Sequence, residues 1–324
     1  MDTGLTVGSE EIMVGDRGRA PSRPSRDGSG RDGSGLPSAL VFAVGAVALW
    51  STNALVGKSL LASHPVSLVQ LLQFCGAALV FAVIHLASRK KVAPENAAST
   101  AQAVAVGIIG LVGTMVLQYI AFASMPVIEA NLVAYTWPLM VAAAVIVLGK
   151  PQRPVLLGLT AVLGFVGVAL VISGGRGQPF LQGSIVGYLA AFGSALCMAF
   201  YSIAVARLAT PSERLLLPSA LVGVGLTLLW CIHDGPAWPT GADLLLGLYL
   251  GAGPMGLGYY FWSRALKLEG GGKVAVVAYL TPIASTLLLT LSGERLTLTA
   301  IAGAVLVIGS CIAVGIERSE AEHA

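Results

Sequence analysis

Ile128-Glu129-Ala130-Asn131-Leu132-Val133-Ala134-Tyr135-Thr136-Trp137-Pro138 opens an apolar segment that runs to about Leu148, with a proline in its interior. Residues 274–282, Val-Ala-Val-Val-Ala-Tyr-Leu-Thr-Pro, repeat the pattern 144 positions later. Val133, Ala134, Tyr135 and Pro138 match Val277, Ala278, Tyr279 and Pro282 residue for residue. Gly158 and Gly164 are followed at nearly the same offset by Gly303 and Gly309, again six apart. A shared V-A-Y-x-x-P with the same glycine spacing reads as internal duplication, which in a membrane protein places the working site where the halves meet.

The composition leaves few other classes. Of 324 residues, 56% are apolar and only 11% charged, and the mean hydropathy is +0.82. A soluble domain needs more charge than this to cover its surface. Cys75, Cys197, Cys231 and Cys311 lie in or beside apolar segments without CxxC spacing, so they read as small hydrophobes rather than a zinc site or disulfide framework.

Residues 1–36 form a tail rich in Gly, Ser, Arg and Asp without an apolar core, expected to be disordered. Its five arginines are interleaved with four aspartates and two glutamates, which argues against a nucleic-acid arm. Ten apolar segments follow, at roughly 38–60, 65–87, 101–124, 126–148, 154–174, 183–207, 214–232, 242–266, 273–292 and 296–316. Each approaches the ~20 residues that cross ~30 Å of hydrocarbon. With the N-terminus in the cytoplasm, that side collects every one of the 19 basic residues except Lys58, Arg176 and Arg295. The expectation is an all-α membrane protein with both termini inside. Ten transmembrane helices fall into two inverted five-helix repeats, residues 37–174 and 175–316, followed by a cytoplasmic tail at 317–324. An odd number of spans per half inverts the second half, and Pro138 and Pro282 near mid-span are expected to bend their helices as hinges.

Leu49-Trp50-Ser51-Thr52-Asn53, the two proline-bearing repeats and Ser292-Gly293-Glu294-Arg295-Leu296 resemble the ten-helix transporters of the drug/metabolite transporter superfamily with the EamA-type repeat. The resemblance covers about residues 38–316. Trp50-Ser51-Thr52, Ile128-Glu129 and Tyr135-x-Trp137-Pro138 are most similar to the aromatic amino-acid exporter branch. One departure is visible: the acid that follows the proline-bearing helix is Glu294 in the second half, whereas the first half has Lys150.

Candidate substrate-binding residues follow from what is costly inside a membrane. Trp50, Trp137, Trp262, Tyr119, Tyr135 and Tyr279 lie within spans, where aromatics more often pack or form interfacial belts. Beside the two prolines, however, the rings of Tyr135, Trp137 and Tyr279 are placed to sandwich a planar substrate. Asn53, Gln73, Gln118 and Asn131 are uncharged amides that either bond neighbouring helices or recognise a zwitterion without a buried countercharge. Glu129 is an acid inside a span, and such groups usually face the bundle interior. Three residues past Pro126, it also suits the first turn of a helix, where the dipole favours negative charge.

The chain lacks H-E-x-x-H, paired membrane aspartates and a phosphate-cradling G-x-x-x-x-G-K-[ST] loop, so catalysis, a metal site and ATP-driven pumping are not expected. No cofactor is implied. The expected partners are an amino acid-like small molecule and the lipid bilayer, with no nucleic acid, and a monomer suffices. The resemblance implies export of an aromatic or other hydrophobic amino acid across the cytoplasmic membrane by alternating access. A cationic drug, another metabolite or a non-transporting sensor or scaffold are the alternatives.

Overall fold

The computed structural model describes residues 35–88, 97–149, 153–173, 183–269, 272–291 and 297–321. The expected N-terminal tail (to residue 34), the loop lysines Lys90, Lys91 and Lys150, and the Ser292–Leu296 motif lie outside the described residues. Among the described residues every regular element is helical. Eight helices are long and apolar enough to cross a membrane: α1 (Ser38–Leu61), α2 (Val66–Ser88), α3 (Ser99–Ser124), α4 (Val127–Leu148), α5 (Pro154–Ser173), α6 (Ile185–Arg207), α7 (Ser212–Asp234) and α8 (Gly241–Leu268). Two shorter apolar helices follow, α9 (Val274–Leu288) and α10 (Leu298–Ser310), and the backbone of α10 stays helical to Ala321. The protein is a multi-pass membrane protein.

Helix ends are set locally. Ser184 caps α6, its hydroxyl accepting from the Gly187 N–H at 3.0 Å. α7 stops at Gly235, which sits at φ 59° in the left-handed region that favours glycine. The outer faces are aliphatic: Val41, Val83, Val147, Val155 and Ile185 all project outward, Ile185 with 78% of its surface exposed. Water would penalise such a face, and hydrocarbon does not. Contacts of charged side chains lie at the bundle ends. At one end His64 Nε2 meets Asp243 Oδ2 at 2.9 Å and the Ser67 hydroxyl donates to Asp234 at 2.6 Å. At the other, Glu213 is held by Arg264 at 3.8 Å and by the Tyr260 hydroxyl at 3.4 Å.

Helix directions follow from the contacts. Gly45 meets the Phe261 ring, Trp50 donates to Pro254 O and Thr52 reaches Tyr249, so α1 and α8 run antiparallel. Gly110 meets Tyr201, Gly113 meets Cys197 and Gly193 meets Leu117, so α3 and α6 are antiparallel too. Leu72 packs on Gly247 and Val80 on Gly256, which makes α2 and α8 parallel. Ser99 pairs with Thr210 and Gly107 with Ser219, which makes α3 and α7 parallel.

Among the described residues two helices contain a π turn, Ile108–Gly113 in α3 and Gly251–Leu257 in α8. A π turn inserts a residue and frees carbonyls from the helical ladder. Each is covered by an aromatic ring from its antiparallel partner. Tyr201 of α6 sits on Gly110, and Trp50 of α1 lies against Gly258 and donates its Nε1–H to the Pro254 carbonyl at 3.0 Å.

Candidate functional site

Among the described residues three helices are interrupted near mid-length. α1 is helical over Gly35–Trp50 and Asn53–Leu61, with a turn at Ser51–Thr52. α4 is helical over Val127–Ala134 and Trp137–Gly149, and the last stretch before α10 over Gly272–Val277 and Leu280–Leu291. The two later breaks lie just before Pro138 and Pro282. A proline ring excludes the carbonyl four residues back, here Ala134 and Ala278, and offers no N–H to it. The break in α1 has no proline. There the Ser51 and Thr52 hydroxyls bond back to Ala48 O at 2.7 Å and Leu49 O at 2.8 Å, competing with the backbone for those carbonyls. The Thr136 hydroxyl does the same to Val133 O at 2.7 Å.

The breaks surround a cavity of about 370 Å³. That is the size of a small-metabolite pocket. Trp50, Asn53, Gln118, Asn131, Tyr135 and Trp137 line it, as does Pro282. Trp262 does not; fully buried, it lies behind the lining, packed against Trp50 at 5.3 Å and edge-on to Trp137 at 5.5 Å, with its Nε1–H donated to Ser202. The two lining indoles, Trp50 and Trp137, make an aromatic floor with Tyr259, which packs edge-on to Trp50. Gln73 and Tyr119 also stand behind the wall. The Gln73 amide donates to the Tyr119 hydroxyl at 2.5 Å, and that hydroxyl donates to Asn53 Oδ1 at 3.1 Å. Tyr279 points away from the cavity toward α5 and α10, where it packs with Val168 and Val307 over Gly164. Glu129 is buried outside the lining and accepts a hydrogen bond from the Tyr188 hydroxyl of α6. Pro138 is buried but is not among the lining residues.

The lining also holds residues the sequence reading did not single out. Thr114, Ser194, Thr281, Ser285 and Thr286 bring hydroxyls, and Met115 and Met198 bring adaptable apolar surface. The hydroxyl run around Pro282 was a usable signal; the methionines carried none. The sequence places Lys58 as an outward-facing charge near the end of the first apolar segment. It stands on the second helical run of α1 and is the one charged side chain among the described lining residues. Among the described residues no salt bridge engages it.

Comparison with known proteins agrees with this architecture. A protein-family model described as the EamA-like transporter family matches residues 37–173 and 185–316. The aromatic amino acid exporter YddG of Ancylobacter novellus is 31% identical over 293 residues, covering 87% of this chain and 98% of that protein. A solved crystal structure superposes with a TM-score of 0.76 at 29% identity, covering 86% of this chain and 98% of the other. The chain belongs to the EamA-like transporter family.

Proposed function

We propose that this protein exports aromatic or other hydrophobic amino acids across the cytoplasmic membrane by alternating access. The observation that carries the reading is the cavity itself: a floor of Trp50, Trp137 and Tyr259 under a wall of amides and hydroxyls, with Lys58 as its one charge among the described residues. An aromatic floor suits a planar apolar side chain, and neutral polar groups suit a zwitterion. A lone cation repels a cationic drug, which sets that alternative lower. The name of the A. novellus relative supports the same substrate class.

Ten spans in two inverted halves fit the packing. Exchanging each helix for the one five places along converts the α1/α8 pair into α6/α3 and the α2/α8 pair into α7/α3, with directions preserved. The π turns of α3 and α8 and the broken α4 and α9 exchange in the same way. With the basic end of the bundle in the cytoplasm, Lys58 and Thr297 mark an outward-facing mouth, and the aromatic floor seals the inner side.

The test is uptake by proteoliposomes carrying the purified protein, offered radiolabelled phenylalanine, tyrosine, tryptophan, leucine and a lipophilic cation. Transport of the aromatic amino acids in preference to the cation is expected. Uptake of the cation alone would overturn the reading.

A further inference from the structure

We infer that Asn53 and Lys58 form the carboxylate-binding pole of the cavity, and that Gln73 and Tyr119 are positioning residues that aim Asn53. This rests on the reading of the cavity as the substrate site.

Protons run in one direction along a buried chain of side chains. The Gln70 amide donates to Gln73 Oε1, which turns the Gln73 nitrogen toward Tyr119. The Tyr119 oxygen accepts that proton, so its own single hydrogen goes to Asn53 Oδ1. The Asn53 oxygen is thereby engaged behind the wall, leaving the amide nitrogen as the group available to the cavity that Asn53 lines. Gln70, Gln73 and Tyr119 are all fully buried, so each bond forms without competition from water. Gly57 makes room for the chain: a Cβ there would stand 2.6 Å from the Tyr119 hydroxyl.

Lys58 follows Asn53 on the same helical run, Asn53–Leu61, about 7 Å further along the axis. Both side chains line the cavity, one offering an amide N–H and the other an ammonium. The described lining holds no acid. An amino acid therefore enters with its carboxylate against α1, its amino group against the oxygen-bearing side chains Thr281, Ser285 and Thr286, and its side chain on the indole floor.

The test is calorimetric titration of the purified full-length chain with two matched pairs, phenylalanine against 2-phenylethylamine and leucine against isopentylamine. The carboxylated member of a pair should bind at least about 10-fold more tightly, the range expected for a charge-assisted hydrogen bond. Lys58→Met and Asn53→Ala should bring that ratio toward one while amine binding is retained, rising in Lys58→Met where the repelling cation is gone, and retained amine binding also reports correct folding. Lys58→Arg should keep the ratio, and Tyr119→Phe should reduce it partway. A ratio that survives Lys58→Met, or equal loss for acid and amine, overturns the assignment. A normal ratio and its loss in the leucine pair, with phenylalanine unbound, upholds the pole and overturns only the aromatic substrate class.

Discussion

Gly167 of α5 and Gly303 of α10 pack backbone to backbone. A Cβ built on Gly303 would lie 2.5 Å from the Gly167 carbonyl oxygen, and one on Gly167 would lie 2.7 Å from that of Gly303. Helices in lipid gain from such approach because dispersion contacts replace a hydrophobic drive that the bilayer does not supply. A side chain at either position must push rigid backbone aside. Gly303→Leu is expected to cost about 1–3 kcal/mol, read as a lower unfolding temperature in detergent. Gly309→Ala is the control, since a Cβ there meets nothing within 4 Å. Equal melting of the two variants would show that the α5–α10 contact is not tight.

Pro138 and Pro282 each follow a helix break that borders the cavity. Alanine restores an N–H and lets the ladder close across Tyr135–Thr136 and Ala278–Tyr279. Both single variants should insert normally and transport more slowly, by about 10-fold if the breaks are the flexing points, a barrier increase near 1.4 kcal/mol. Initial export rates at saturating substrate decide it. Unchanged rates in both would leave the prolines a packing role.

Trp137 lines the cavity and is braced edge-on by Trp262 at 5.5 Å. Trp137→Leu keeps an apolar surface and removes the ring. Aromatic contacts contribute about 0.5–1.5 kcal/mol beyond burial, so the affinity for phenylalanine relative to leucine should fall, by up to about 10-fold. Competition binding measures the ratio. An unaltered preference would place the aromatic selectivity elsewhere.

Glu129 sits in the first turn of α4 and is bonded to Tyr188 of α6, outside the cavity lining. Glu129→Gln keeps its size and removes the charge that the helix dipole favours. The expected loss is about 0.3–1 kcal/mol of stability with transport and its pH response unchanged. Tyr188→Phe should lower stability in the same assay. A loss of pH-gradient dependence in Glu129→Gln would instead assign the carboxylate to proton coupling.

Much of this architecture was legible because lipid imposes strict rules. A run of apolar residues long enough to cross hydrocarbon has little choice but helix, and a proline inside it removes one rung of the ladder and offers a place to break. The residues around Pro138 and Pro282 therefore announced two of the three interruptions. Trp50, Asn53, Gln118, Asn131, Tyr135 and Trp137 announced themselves because polar and aromatic groups in a span are costly enough to need a reason. The third interruption was not legible. Ser51 and Thr52 break α1 only through hydroxyl bonds to Ala48 and Leu49, and elsewhere a hydroxyl makes the same kind of bond without a break, as Thr160 does to Leu156 and Leu157 within α5.

Which side of each helix meets the cavity is likewise a property of packing. Tyr135 and Tyr279 occupy matching places in the sequence repeat, yet one lines the cavity and the other packs over Gly164. Asn53 and Gln73 are both buried amides, and only the route through Tyr119 makes one the wall and the other its support. Lys58 reads from the sequence as an outward-facing charge near the end of the first span. It becomes part of the cavity because α1 turns at Ser51–Thr52 and resumes beside α8, with Thr52 held to Tyr249 at 2.9 Å. The sequence by itself determined that the chain is helical and apolar enough for lipid, because those follow from local backbone chemistry and solvent. Its prolines marked where a break could fall, and packing chose Pro138 and Pro282 while α7 runs unbroken through Pro218. Only the tertiary structure decided which amide, ring and charge share one cavity, because that depends on how helices far apart in the chain rotate against one another to bury glycine faces.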